Sequence, residues 1–218
     1  VKTSLPTSIL FCLLIGACRK NDGGGDIHTE GRFVRMVNHN GYPVNIFFDA
    51  PHTDTVDVIM TFHGTVLYDS LILTAAEMSV DMVKGFTDRT DILYAGVAYP
   101  EEGLLMGDNV AYAEAALLWM KEDAERELGK KIRKIFLVGH SQGGYVVTRL
   151  NTMHPTDGVV ANGPGPLNLV LRCQLEESGQ IASGETCSLL KETYGSVYDN
   201  PDAYKARSLL LFTDQYKG

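Results

Sequence analysis

Hydrophobic positions along the chain follow two alternating spacings: short runs of β-branched or aromatic residues, and longer stretches with apolar residues three or four apart. The alternation predicts strands and helices in turn. Arg32–Val37 and Val44–Phe48 read as strands separated by Asn38-His39-Asn40-Gly41, and Asn-Gly between such runs signals a tight antiparallel hairpin. Val56–Phe62 is a third strand, stopping at His63-Gly64, and a helix is expected from about Ser70 to Lys84. Ile92–Ala98 is apolar throughout, as suits a strand covered on both faces, and Pro100 follows it. The clearest helix opens near Asp108, an N-cap residue type, carries Val110, Ala113, Leu117, Met120, Ala124 and Leu128 on one stripe, and stops at Gly129. Trp119 lies beside the stripe as packing, and the charges from Lys121 to Glu127 make a solvated face. Ile135–Val138 is a buried strand; a glycine turn, a helix from Gln142 to about His154 and a strand at Gly158–Ala161 follow. Short links between alternating elements mean parallel strands and right-handed crossovers. The expected architecture is a layered α/β fold, a mostly parallel sheet preceded by an antiparallel hairpin.

Composition fits one folded domain: 218 residues, 44% hydrophobic and 21% charged. Acidic residues outnumber basic ones 27 to 19, for a net charge of −8 with no basic run, which argues against nucleic acid as a partner. The four cysteines form no C-x-x-C pair, so no metal or other cofactor is expected.

The first residues read as an address. Ile9–Ala17 is apolar, follows Lys2, and is shorter than the roughly 20 residues a membrane span takes. Its end, Leu14-Ile15-Gly16-Ala17-Cys18, resembles a bacterial lipobox, in which the cysteine is lipidated and becomes the mature N-terminus; the alternative is a generic signal peptide with a chance cysteine. The expected division is a signal peptide over 1–17, a glycine-rich tether over 18–31 and one domain over 32–218, with the protein exported and held at a membrane through lipid on Cys18 only. Val1 stands where a methionine would begin a chain. Export leaves Cys173 and Cys187 as the two thiols of the mature chain, and an oxidising compartment favours their pairing as a disulfide closing a short polar loop. Two unlinked buried cysteines are the alternative.

Gly139-His140-Ser141-Gln142-Gly143 matches G-x-S-x-G between a buried strand and a helix, the context in which the motif has physical meaning. The turn strains the serine and presents its oxygen to a carbonyl carbon; Gly139 and Gly143 admit the close approach of helix and strand, and Gly144 extends it. The Gln142 amide, opening the helix, points to where an oxyanion forms. A phosphate loop would want Lys followed by Ser or Thr, and Gln142-Gly143-Gly144-Tyr145 has neither. With Phe62-His63-Gly64-Thr65, these residues resemble the α/β-hydrolase superfamily, in its branch of dienelactone hydrolases, prolyl oligopeptidase-like enzymes and secreted esterases, from about residue 32 onward. The resemblance implies a three-layer α/β-hydrolase sandwich, Ser141 as nucleophile, the Thr65 N–H as second oxyanion donor, and a small ester or peptide as substrate. The His-Gly-Gly-Gly form of hormone-sensitive-lipase relatives is absent.

Such an enzyme also needs an acid and then a histidine after the serine. His154 is the histidine that follows Ser141, and about 18 Å of helix separates it from the elbow, too far for a base. His63 is the substitute, expected as a structural or pocket residue. Ser208–Thr213 looks strand-like and puts Asp214 where the acid belongs, but Tyr204-x-x-x-Ser208 resembles the segment preceding the acid-bearing strand. On that reading the fold is incomplete at the C-terminus, the acid and histidine lie beyond Gly218, and activity is impaired. Residues 162–204 form a cap-like insertion that selects substrates, or else a plain surface loop. The expected function is ester hydrolysis through an acyl-enzyme, with a prolyl oligopeptidase-type peptidase and a non-catalytic surface lipoprotein as alternatives.

Overall fold

The computed structural model describes residues 29–217. The expected signal peptide, Cys18 and most of the tether lie outside the described residues. Two nine-residue strands, β1 (Gly31–His39) and β2 (Tyr42–Ala50), pair antiparallel in the register His39 to Tyr42. Asn40 (φ 53°) and Gly41 (φ 86°) make the turn, two consecutive left-handed residues whose twist matches that of the flanking strands.

Four parallel strands follow: β3 (Thr55–Phe62), β4 (Ile92–Ala98), β5 (Lys131–His140) and β6 (Gly158–Asn162). The six strands lie in the order β1-β2-β4-β3-β5-β6, with β2 antiparallel to β4. β4 is buried along its whole length, as its unbroken apolar run requires of a strand covered on both faces.

Helix α1 (Ile72–Lys84), entered through a 3-10 turn at Asp69–Leu71, covers one face. It packs Val80 and Val83 against Phe47, Ile92 and Tyr94. A Cβ on Gly96 would lie 2.4 Å from the Ala76 carbonyl oxygen, so a bare glycine lets helix and sheet touch. The other face carries α2 (Val110–Glu122), α3 (Ala124–Leu128) and α4 (Gln142–Met153). Leu117, Met120, Val146 and Leu150 meet Ile46, Phe48, Leu93 and Leu137 there in the main core. On the α1 face the cover stops short of β6. Val160 is 57% and Phe86 84% exposed, beside an apolar hollow of about 310 Å³.

Three expectations are corrected. The helix expected to open at Asp108 begins at Val110, because Asp108 turns outward to an ion pair with Arg207 at 3.0 Å and Asn109 takes the cap position. It also breaks at Asp123 (φ −118°), which splits α2 from α3 before left-handed Gly129 ends the run. Ser208–Thr213, read as strand-like, instead supplies the cap and the first five residues of a 3-10 helix at Leu209–Gln215. Only Leu209 of its leucines is buried, and the segment docks on α4, with Arg149 over Phe212 at 3.7 Å and the Lys217 N–H donating to Asn151. A leucine run has the apolarity of a strand without its alternation, and packing against α4 decided its shape.

The insertion is helical: α5 (Leu169–Glu177), α6 (Glu185–Tyr194) and α7 (Pro201–Lys205). Cys173 and Cys187 are joined by a disulfide between α5 and α6. Around the bridge Leu169, Leu190, Val197 and Tyr204 form a small core of their own.

Candidate active site

β5 ends at His140 and α4 begins at Gln142, so Ser141 alone makes the turn from sheet to helix. Its φ of 54° and ψ of −117° cost a residue with a Cβ on the order of 1–3 kcal/mol and persist only where the surroundings over-determine them. Here the Ser141 N–H donates to the Asn162 carbonyl at 2.9 Å, and the Ser141 carbonyl accepts from the Tyr145 N–H at 3.1 Å. A Cβ on Gly139 would stand 2.1 Å from the Gly143 carbonyl oxygen, and one on Gly143 2.0 Å from that of Phe62. Both positions therefore admit only hydrogen, and strand, helix and β3 close on the serine together.

β3 delivers the facing loop. A Cβ on Gly64 would lie 3.6 Å from Ser141 Cβ, so this backbone runs beside the serine. His63 is buried, its ring stacked on Tyr99 with centroids 4.1 Å apart. Its Nδ1–H donates to the Gly64 carbonyl at 2.8 Å, and the Tyr99 hydroxyl donates to the His63 carbonyl. Burial pushes the His63 pKa below its ordinary value, against the opposing hydrogen bonds, so the ring is neutral at pH 7. Nε2 is enclosed without a partner among the described residues.

The remaining described histidines are placed elsewhere. His154 ends α4 and bonds Glu114 at 2.6 Å; His39 bonds Glu122 and His52 bonds Glu30. His140 is exposed at the elbow's edge and Asp214 is exposed on the 3-10 segment.

Gln142 opens α4, so its amide has no intrahelical carbonyl to meet. Thr65 follows Gly64 in the loop after β3. Both line one cavity of about 140 Å³, whose other walls are Glu101–Met106 beyond the end of β4 and Glu185, Thr186 and Leu189 of α6. The disulfide thus ties a helix that walls the cleft.

Sequence reasoning missed Glu101. Its Oε2 accepts from the Val66 N–H at 2.6 Å, and its own N–H donates to Asp69 Oδ1 at 2.9 Å. Burial first, and then the charges of Asp69 and Glu185, push its carboxyl up to about 7, against the lowering effect of the Val66 hydrogen bond. The available signal was Pro100-Glu101-Glu102 just past a buried parallel strand, because ligands of such sheets bind beyond the carboxyl ends of the strands.

The sequence matches no protein-family model and no curated protein. Solved structures do match in shape. The Pyrococcus horikoshii acylaminoacyl peptidase aligns at a TM-score of 0.55 and 15% identity, over 87% of this chain and 31% of its own. A structure from a study of two fungal esterases of Rhizomucor miehei aligns at 0.53 and 15%, over 74% and 53%. Brefeldin A esterase, described as a bacterial homologue of human hormone sensitive lipase, aligns at 0.52 and 16%, over 92% and 59%. The chain spans about half the length of the esterases and under a third of the peptidase. At these identities the likeness is one of fold.

Proposed function

We propose that this chain, which has the α/β-hydrolase fold, is a serine hydrolase acting on carboxylic esters through an acyl-enzyme on Ser141. The backbone of Ser141 carries the reading, because a left-handed serine between a parallel strand and a helix is strain retained at the place where this fold puts its nucleophile. In the step, Ser141 Oγ bonds to the ester carbonyl carbon and its proton passes to a base. The oxyanion is held by the Gln142 and Thr65 amides, and the alkoxide leaves with a proton. Water then attacks the acyl-enzyme and releases the acid. No described histidine hydrogen-bonds Ser141 Oγ, so turnover by residues 29–217 alone is expected to be slow, resting on the oxyanion donors.

A fluorophosphonate probe tests the reading. Covalent labelling lost in Ser141→Ala is expected; an unlabelled, demonstrably folded chain sinks it. That second outcome would favour a non-catalytic binding protein, the alternative supported by the engagement of His39, His52, His63 and His154 with other partners.

A further inference from the structure

Two side-chain carboxamides line the cavity beside the oxyanion amides, and the protein engages neither. Gln142, the first residue of α4, is 8% exposed, and no hydrogen bond ties its side chain to another described residue. Asn109 is 2% exposed at the cap position of α2, yet its side chain accepts nothing from that helix. Its Oδ1 is enclosed without a donor among the described residues, which leaves its NH2 to the cavity. A nearly buried carboxamide without a partner forgoes hydrogen bonds that water would supply, and such a group in a cavity wall is explained by what the cavity takes in. The carboxylates in the same walls are served or lie at the rim. Glu101 Oε2 accepts from the Val66 N–H and Glu102 Oε2 from the Asp69 N–H, while Glu185 is exposed. No lysine, arginine or aromatic ring lines the cavity.

We propose that Asn109 and Gln142 make this cavity a subsite for a neutral secondary amide that the substrate carries close to its scissile carbonyl. The proposal rests on the hydrolase reading and adds a substrate class to it. Asn109 donates from Nδ2 to the carbonyl of that amide, and Gln142 Oε1 accepts from its N–H. One donor and one acceptor match an amide on both edges, whereas a hydrocarbon group would shut water out and leave both carboxamides unpaired. The carboxylates, with no basic residue among the lining to offset them, disfavour an anion. A sugar ring would find no aromatic face to stack on. Leu104, Leu105 and Leu189 take the chain that bears the amide. Both assigned roles belong to side chains, and the Gln142 backbone N–H stays at the oxyanion.

Three fluorophosphonates on the same short chain, ending in an acetamido group, an alkyl group of equal length or a hydroxyl, test this on the full chain. The acetamido probe is expected to label Ser141 roughly tenfold faster than the alkyl probe, the advantage that two net hydrogen bonds supply. That ratio of rates is the readout. It should fall to about threefold or less in Gln142→Met and in Asn109→Leu, each of which removes one carboxamide at nearly constant size. Equal acetamido and alkyl rates in the wild type, a ratio unchanged in the variants, or a faster hydroxyl probe overturns the subsite while leaving the hydrolase reading intact. If no probe labels a folded chain, the hydrolase reading fails. NMR titration of the wild type then decides the cavity by itself, and does so too where the variants do not fold. Shifts of the Asn109 and Gln142 side-chain NH2 signals with N-butylacetamide but not with n-butanol support the amide site; shifts with both or with neither overturn it.

Discussion

The two ends of the parallel sheet handle buried charge in opposite ways. At the amino end Asp57 of β3 is almost fully enclosed, yet it accepts from Arg89 Nη2 at 2.6 Å and Arg133 Nε at 2.9 Å, while Asp91 binds the same two guanidiniums. Burial pushes Asp57 up, but the two arginines outweigh it and its carboxyl ends below the usual range; Asp91, bonded to both, is held lower still. At the carboxyl end Glu101 has one amide for a partner and acidic neighbours, and its carboxyl is pushed up to about 7. Backbone follows the same division: the strained non-glycine turn at Ser141 sits at this second end. Paired charge stabilises a fold, whereas uncompensated charge and strain mark a place kept ready for something else.

Substitutions can break this contrast. The largest effect is expected from Gly143→Ala, whose added methyl would meet the Phe62 carbonyl oxygen at 2.0 Å. No flexible side chain can yield there, and a loss of 4 kcal/mol or more, seen as failure to accumulate folded protein, is expected. Asp57→Asn leaves two guanidiniums half-served at the amino end. Since both arginines are over 40% exposed, the expected loss is about 2 kcal/mol in urea denaturation at pH 7. This contribution is present above the ordinary carboxylate pKa and fades as pH falls through the depressed value, so the gap between wild type and variant should close in acid.

Glu101→Gln should do the reverse. A carboxyl raised from 4.5 to about 7 contributes stability that is complete below pH 4.5 and lost as pH climbs through 7. The amide keeps the acceptor for Val66 and never ionises, so the variant should be more stable than wild type by about 1–2 kcal/mol at pH 8.5 and equal to it at pH 4. Equal stability of the two proteins at both values would remove the distinction between the ends of the sheet. The smallest effect is expected from Ser141→Gly, which relieves the left-handed backbone and should add about 1 kcal/mol in the same measurement.

What the sequence discloses tracks how local the cause is. Asn40-Gly41 announces its hairpin because two adjacent residues carry the whole conformational requirement, and Gly139 through Gly143 announce the elbow for the same reason. Leu209–Phe212 misleads because its shape is decided by Arg149 and Asn151 on another helix. Asp108 misleads as a cap because Arg207, 99 positions away, claims its carboxylate. Glu101 is silent because its character arises from Asp69, Glu185 and burial, three contributions from separate segments that meet only in the folded chain.

The bridge between Cys173 and Cys187 separates two tasks that a smaller protein would have to perform with the same residues. The sheet and its serine hold their positions through glycine contacts that tolerate no change. The far wall of the cleft belongs to a stapled helical pair with its own small core. Exposed residues between the two half-cystines, such as Gln180, Ala182 and Ser183, can therefore change without disturbing the turn at Ser141. That leaves one wall of the cleft room to vary in sequence while the elbow opposite it stays fixed.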